Sequence, residues 1–152
     1  MHAASAVKDG VAHLFVGPSV AGKTTISRRL ARAPGVKILS DELPILRSTP
    51  SSFTLHSTPF WGEFRPPEHN GRGRLGKIFF MAGGSRSAVA LKDLAVGEAQ
   101  KRLLRCLVSF ERSVETVSKG WDLLLRALEG RAFHELRWRL DTPAADLARR
   151  LW

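Results

Sequence analysis

The stretch Ala4-Ser5-Ala6-Val7-Lys8-Asp9-Gly10-Val11-Ala12-His13-Leu14-Phe15-Val16-Gly17-Pro18-Ser19-Val20-Ala21-Gly22-Lys23-Thr24 decides how this chain is read. Two apolar runs, Ala4–Val7 and Val11–Val16, flank Lys8-Asp9-Gly10, a turn signal that predicts a hairpin. The second run leads into Gly17–Thr24, which matches G-x-x-x-x-G-K-[ST] in full. A helix is expected from Lys23 to about Ala33, with Ile26 and Leu30 on one face and Pro34-Gly35 as its stop. In such a strand–loop–helix setting the glycines let the backbone curl until successive N–H groups point inward at phosphate, and the helix adds the positive end of its dipole. Lys23 is the mobile charge for the β- and γ-phosphates, and the Thr24 hydroxyl is a ligand for Mg²⁺. The expectation is a nucleoside triphosphate held by Gly17, Pro18, Ser19, Val20, Ala21, Gly22, Lys23, Thr24 and Thr25. Lys23 is expected to stay exposed until phosphate arrives.

Downstream, Val36–Leu39 reads as a short strand that ends at Ser40-Asp41-Glu42. An acidic pair at a strand end near a phosphate loop suits either a Mg²⁺ ligand or a base; a capping or solvated acid is the plain alternative. Seventeen residues separate Lys23 from Asp41 with no Ser-Gly-Gly signature between them, which argues against an ABC-type ATPase. An Asn-Lys-x-Asp guanine-reading motif is absent as well, against a Ras-like GTPase. Phe53–His56 is a weaker strand. Residues 57–74, with three prolines and three glycines, are expected to form one long loop carrying Phe60, Trp61, Glu63 and Phe64. Lys77–Met81 has a buried-strand pattern, Gly83-Gly84-Ser85 a turn, and Ala88–Leu91 a further strand. Helices are expected from Val96 to Phe110 and from Val114 to Leu128, then a strand over Ala132–Trp138. A last helix is expected, capped by Thr142-Pro143. Glu63 and His56 are further site candidates; His13 and His134 alternate with apolar neighbours and read as structural. Arg72, Arg74 and Arg86 flank the Lys77–Met81 strand, where one could brace a transferred phosphate. The class is α/β, in one domain over residues 1–152.

Composition bounds the partners. The formal charge is +10, from 24 basic and 14 acidic residues. The excess is spread rather than gathered: residues 1–71 carry 8 basic and 5 acidic side chains, residues 72–152 carry 16 and 9. This reads against nucleic acid as the main partner, although a basic nucleic-acid binder stays open as an alternative. No apolar run approaches the roughly 20 residues of a membrane span. Met1–Ser5 lacks the cationic start of a secretory signal. The single cysteine, Cys106, reads as a buried, inert thiol, and the expected compartment is the cytoplasm.

Several segments then line up in order: His2–Val7, the hairpin, the phosphate loop, Leu39-Ser40-Asp41-Glu42-Leu43, Ser57-Thr58-Pro59-Phe60-Trp61-Gly62-Glu63, Leu75-Gly76-Lys77-Ile78-Phe79-Phe80 and Glu135-Leu136-Arg137-Trp138-Arg139. In this order the chain resembles the HPr serine kinase C-terminal family, in the stand-alone branch that includes kinases of lasso peptides. The resemblance implies a phosphoenolpyruvate carboxykinase-like P-loop core, a mixed sheet with flanking helices. It implies ATP and Mg²⁺ as cofactors and phosphoryl transfer to a hydroxyl, a Ser of a protein or peptide. Asp41 matches the family's base or orienter, Lys23 works beside it, and His2 matches a histidine near the phosphates. Thr24, Glu42 and Glu63 are the implied metal ligands. Pro18 and Val20 depart from the family's usual loop, as does Glu42 where Asp is common. Within these 152 residues the glycine- and asparagine-rich segment of true HPr kinases is missing, as is their N-terminal regulatory domain. The expected acceptor is therefore a peptide docked on Phe60, Trp61 and Phe64 among Arg65, Arg72 and Arg74, rather than the folded HPr carrier. A non-catalytic nucleotide-binding accessory protein keeps the same fold and stays open.

Overall fold

A computed structural model describes residues 1–66, 70–108 and 113–152. Twelve elements follow one another: β1 Ala3–Lys8, β2 Val11–Val16, α1 Lys23–Leu30, β3 Lys37–Ser40, β4 Ile45–Ser48, β5 Phe53–His56, β6 Arg72–Gly84, β7 Val89–Asp93, α2 Val96–Leu104, α3 Val114–Leu128, β8 Phe133–Trp138 and α4 Ala144–Leu151. The eight strands form one mixed, open sheet in the order β3-β1-β2-β6-β5-β4, with β8 also on β6 and β7 at its outer edge.

The hairpin forms where Lys8-Asp9-Gly10 predicts it. Asp9 and Gly10 both take positive φ, 49° and 76°, as a tight two-residue turn between twisted strands requires. β2 then runs parallel to β6, from Val11 beside Arg74 to Val16 beside Phe80. β6 is long enough to carry two branches on its other edge. Antiparallel β5 pairs along its first residues and carries β4 on its outer side, and parallel β8 pairs along its last.

Alternation along the central strands gives the sheet two apolar faces. Ala4, Ala6, Phe15, Phe79 and Leu136 point to one, where Ile26 and Leu30 of α1 pack with Leu147 and Leu151 of α4. Ala3, Leu14, Val16, Ile78 and Phe80 point to the other, under Leu103 of α2 and Leu124 and Leu128 of α3. Each large side chain so buried contributes about 1.5–3 kcal/mol. Helices on both faces hold β2 as a central strand, and its C-terminal end is the fixed base from which the Gly17–Thr24 loop springs.

Five local expectations need correction. β4 has no clear signal in the sequence, because Pro44 and the short Ile45-Leu46-Arg47-Ser48 run give little periodicity; its antiparallel partner β5 supplies the missing hydrogen bonds. The long loop ends at Arg72, and Gly83-Gly84 close β6 instead of turning the chain. α2 stops at Leu104, followed by a turn in which the Cys106 N–H donates to the Leu103 carbonyl; the expected continuation to Phe110 reaches residues 109–110, which lie outside the described residues. Pro143 is the N-cap of α4, and the Thr142 hydroxyl donates to the Ala88 carbonyl at 2.8 Å instead of capping the helix. Among the described residues no helix is long and apolar enough to cross a membrane.

Candidate functional site

The loop after β2 is shaped by close approach. A Cβ on Gly17 would lie 2.8 Å from the Ala21 Cβ and 3.2 Å from that of Met81, so only glycine lets the loop fold against β6. Gly22, at φ 93°, is the N-cap of α1. Val20 also has positive φ, 62°, which is a costly conformation for a β-branched residue, and its side chain is fully exposed at the loop apex. The first N–H groups of α1 have no intrahelical partner by geometry, and no side chain caps them.

Lys23 is not exposed, contrary to the sequence expectation. Its Nζ donates to the carbonyls of Gly17 and Pro18, 2.9 Å each, and the residue is 6% accessible. Burial pushes the Lys23 ammonium below the usual lysine range, with Glu42 and Cys106 drawing it partly back. Cys106 is buried behind the loop, its Sγ 3.9 Å from the Gly17 carbonyl, and burial raises its thiol pKa.

The acidic pair is held by two turns of backbone chemistry. The Ser40 hydroxyl accepts the N–H groups of Glu42 (3.2 Å) and Leu43 (3.0 Å), and the Ala3 N–H donates to the Glu42 carbonyl at 3.0 Å. The two side chains then part. Asp41 is fully buried, and its oxygens accept the N–H groups of Gly62 at 2.9 Å and Phe64 at 3.0 Å. It fastens the 61–64 loop to β3 and does not line the open cleft. Glu42 faces the cleft, 3.2 Å from His2 Nε2. A Cβ on Gly62 would lie 2.8 Å from Glu42 Oε2, so this glycine lets the loop close over both acids. Arg28 of α1 adds a third tie, donating to the Glu63 carbonyl at 3.1 Å.

The result is a cleft of about 560 Å³. It brings together His2, Ser19, Val20, Gly22, Lys23, Thr24, Thr25, Glu42 and Glu63, and the loop adds Trp61 and Gly62. Its volume is in the range of small-molecule sites. Gly17, Pro18 and Ala21 form the loop behind it. His56, Arg72, Arg74, Arg86, His13 and His134 do not line it. His56 pairs with the Thr54 hydroxyl at 2.9 Å, and His134 with Asp93 at 2.8 Å. His13 is buried on β2, as its alternation predicts. Its Nδ1 accepts the Lys77 N–H at 2.9 Å, and burial, reinforced by Lys77, lowers its pKa to about 3.

Among the described residues no three His, Cys, Asp or Glu side chains gather as a complete metal cage. Mg²⁺ carried on phosphates does not need one, since one or two carboxylates and a hydroxyl complete a shell of phosphate oxygens and water. Thr24 and Glu42 fit that donor set, and Glu63, expected as a third ligand, lines the same cleft with its carbonyl tied to Arg28.

The tie from Asp41 to the 61–64 loop was not legible in sequence, because it joins residues 21 and 23 positions apart. Gly62 between Trp61 and Glu63 was its one available signal. No protein-family model matches this chain, and no curated protein sequence matches it.

Proposed function

We propose that the chain binds ATP and Mg²⁺ on Gly17–Thr25 and transfers the terminal phosphoryl group to a hydroxyl, a serine of a protein or peptide. The observation that carries this reading is the single cleft shared by Lys23, Thr24, Glu42 and Glu63 at the C-terminal end of β2. The hairpin before the loop and the mixed sheet support an HPr-kinase-like core of the phosphoenolpyruvate carboxykinase type.

In this reading Lys23 leaves the Gly17 and Pro18 carbonyls for the β- and γ-phosphate oxygens, trading two neutral acceptors for charged ones. Mg²⁺ bound with the nucleotide supplies neutralising charge at those oxygens, and Thr24 and Glu42 are the residues that would hold it. His2 orients Glu42. The acceptor oxygen attacks the γ-phosphorus, and the bond from that phosphorus to the β–γ bridging oxygen breaks as ADP leaves. The hydroxyl proton goes to Glu63, which lines the cleft beside Trp61 and Gly62. The proposal moves this role from Asp41, whose oxygens already hold two amides. Catalysis rests on positioning and charge, as phosphoryl transfer requires. The acceptor peptide would lie along the exposed Phe60 and Trp61, where the Arg65 guanidinium sits 4.4 Å above the Trp61 ring.

Transfer of labelled phosphate from ATP to serine-containing peptides tests this, with the HPr carrier as a comparison acceptor. Glu63→Gln is expected to cut transfer by roughly 10²-fold at unchanged ATP affinity, the size of a general-base effect. Glu42→Gln is expected to weaken Mg²⁺-dependent ATP binding first. Intact ATP binding with no transfer to any acceptor would favour a second reading, an accessory nucleotide-binding protein. The observation on that side is Lys23, which is already satisfied by its own loop.

A further inference from the structure

A second cavity, of about 530 Å³, opens on the opposite side of the loop apex. It shares Val20, Gly22 and Thr25 with the acidic cleft, so the two are halves of one groove divided by the phosphate loop. Their chemistry differs. The first half carries Glu42, Glu63, His2 and Thr24. The second has one carboxylate, Asp141, which Arg139 grips with two hydrogen bonds of 2.9 and 2.8 Å.

Its remaining walls suit a flat apolar group. Trp138, itself buried, and Leu140, 65% exposed, both line the cavity. Gly84 leaves open space where a side chain would stand. Large apolar side chains exposed around a cavity mark a binding surface more often than a bare patch of solvated surface. The rim is built rather than loose: Arg139 N–H and the Thr142 hydroxyl both donate to the Ala88 carbonyl, at 3.1 and 2.8 Å, and Arg29 of α1 donates to the Leu140 carbonyl.

A triphosphate has two ends, and the loop offers each a different environment. Thr24 opens only to the acidic half, so the terminal phosphate and its cation belong there. Carboxylates on that side would give a nucleobase little to bind, whereas the other half offers apolar walls within reach of the same loop. We infer that the cavity between the phosphate loop and the 138–141 segment holds the nucleoside of the bound nucleotide, with the base against Leu140 and Trp138, and that the acidic half is left for the phosphoryl acceptor. This rests on the phosphate-loop reading of Gly17–Thr24.

Calorimetric titration with Mg-ATP and, separately, with Mg-tripolyphosphate tests it, on the unchanged protein and on Leu140→Ala and Gly84→Phe. Leu140 is exposed and Gly84 faces open space at a backbone angle other residues adopt, so neither change disturbs the core. Gly84→Phe is expected to weaken ATP by about tenfold by filling the base site, Leu140→Ala by a few-fold, with tripolyphosphate affinity unchanged in both. ATP affinity untouched by Gly84→Phe, or ATP and tripolyphosphate weakened alike, overturns the inference. If the unchanged protein binds neither, the phosphate-loop reading falls, and this inference falls with it.

Discussion

β2 and β6 lie side by side along their whole pairing, yet their two ends are wired in opposite ways. At the far end, polar side chains reach across the sequence to backbone carbonyls. Lys77 Nζ donates to Leu151, Trp152 Nε1 to Val11, and Arg131 to Leu75, all at 2.8–2.9 Å. His13 sits among them, its ring centroid 4.4 Å from that of Trp152. At the other end Lys23 bonds only to carbonyls five and six residues away, Val20 stands in a strained and exposed position, and Glu42 and Thr24 open to a cleft. Bonds between distant elements cannot be exchanged without opening the fold. Bonds within one loop can be traded for a ligand, which is why charge at the near end reads as chemistry and charge at the far end as architecture.

The largest effect expected from this contrast is at the far end, in acid. Unfolded His13 takes up a proton near the ordinary pH of about 6.5, whereas folded His13 does so only near 3. The unfolded form therefore binds more protons throughout that window. Stability falls as pH falls through it, by about 1.4 kcal/mol per pH unit from this group. His13→Asn keeps an acceptor for the Lys77 N–H and cannot titrate. Urea unfolding at about pH 7 and pH 5 should show the wild type losing more stability than the variant between the two. Parallel losses would mean that His13 is not held neutral, and the far end would lose its rigid character.

Asp41 sits at the near end but behaves, by its bonds, like the far one. Asp41→Asn leaves an amide nitrogen facing one of the two N–H groups it now accepts. A loss of about 1–3 kcal/mol is expected, the cost of a buried group left unpaired, and Trp61 fluorescence should report a loosened loop. Unchanged unfolding together with transfer depressed by roughly 10²-fold would return the base role to Asp41. The smallest effect concerns Val20. Val20→Gly removes a left-handed strain of about 1–2 kcal/mol and adds a flexibility cost of about half that, so a gain of under 1 kcal/mol is expected. A clear destabilisation would show that the loop apex is not strained.

What was legible in sequence follows the same divide. The hairpin, the loop, α1, the alternating strands β2 and β8 and the Lys77–Met81 centre of β6 are written in short-range pattern. Glu42 as the open acid and Asp41 as the fastened one could not be separated, because adjacent carboxylates look alike until Gly62 and Phe64 arrive from the next loop. Lys23 reads as exposed from its motif alone; the carbonyls of Gly17 and Pro18 that cover it become visible only once the loop has curled. The cavity lined by Gly84, Trp138 and Leu140 is not legible in sequence, because its walls come from three separate segments, the loop apex, the end of β6 and the chain from the end of β8 onward.

The central claim is that Lys23 serves phosphate and not the fold, and the melting temperature of the protein with and without Mg-ATP tests it most directly. Lys23→Ala removes two bonds internal to one loop, so its melting temperature without ligand is expected to stay near that of the wild type, while Mg-ATP raises the wild type only. A variant that Mg-ATP stabilises as much as the wild type would contradict the claim.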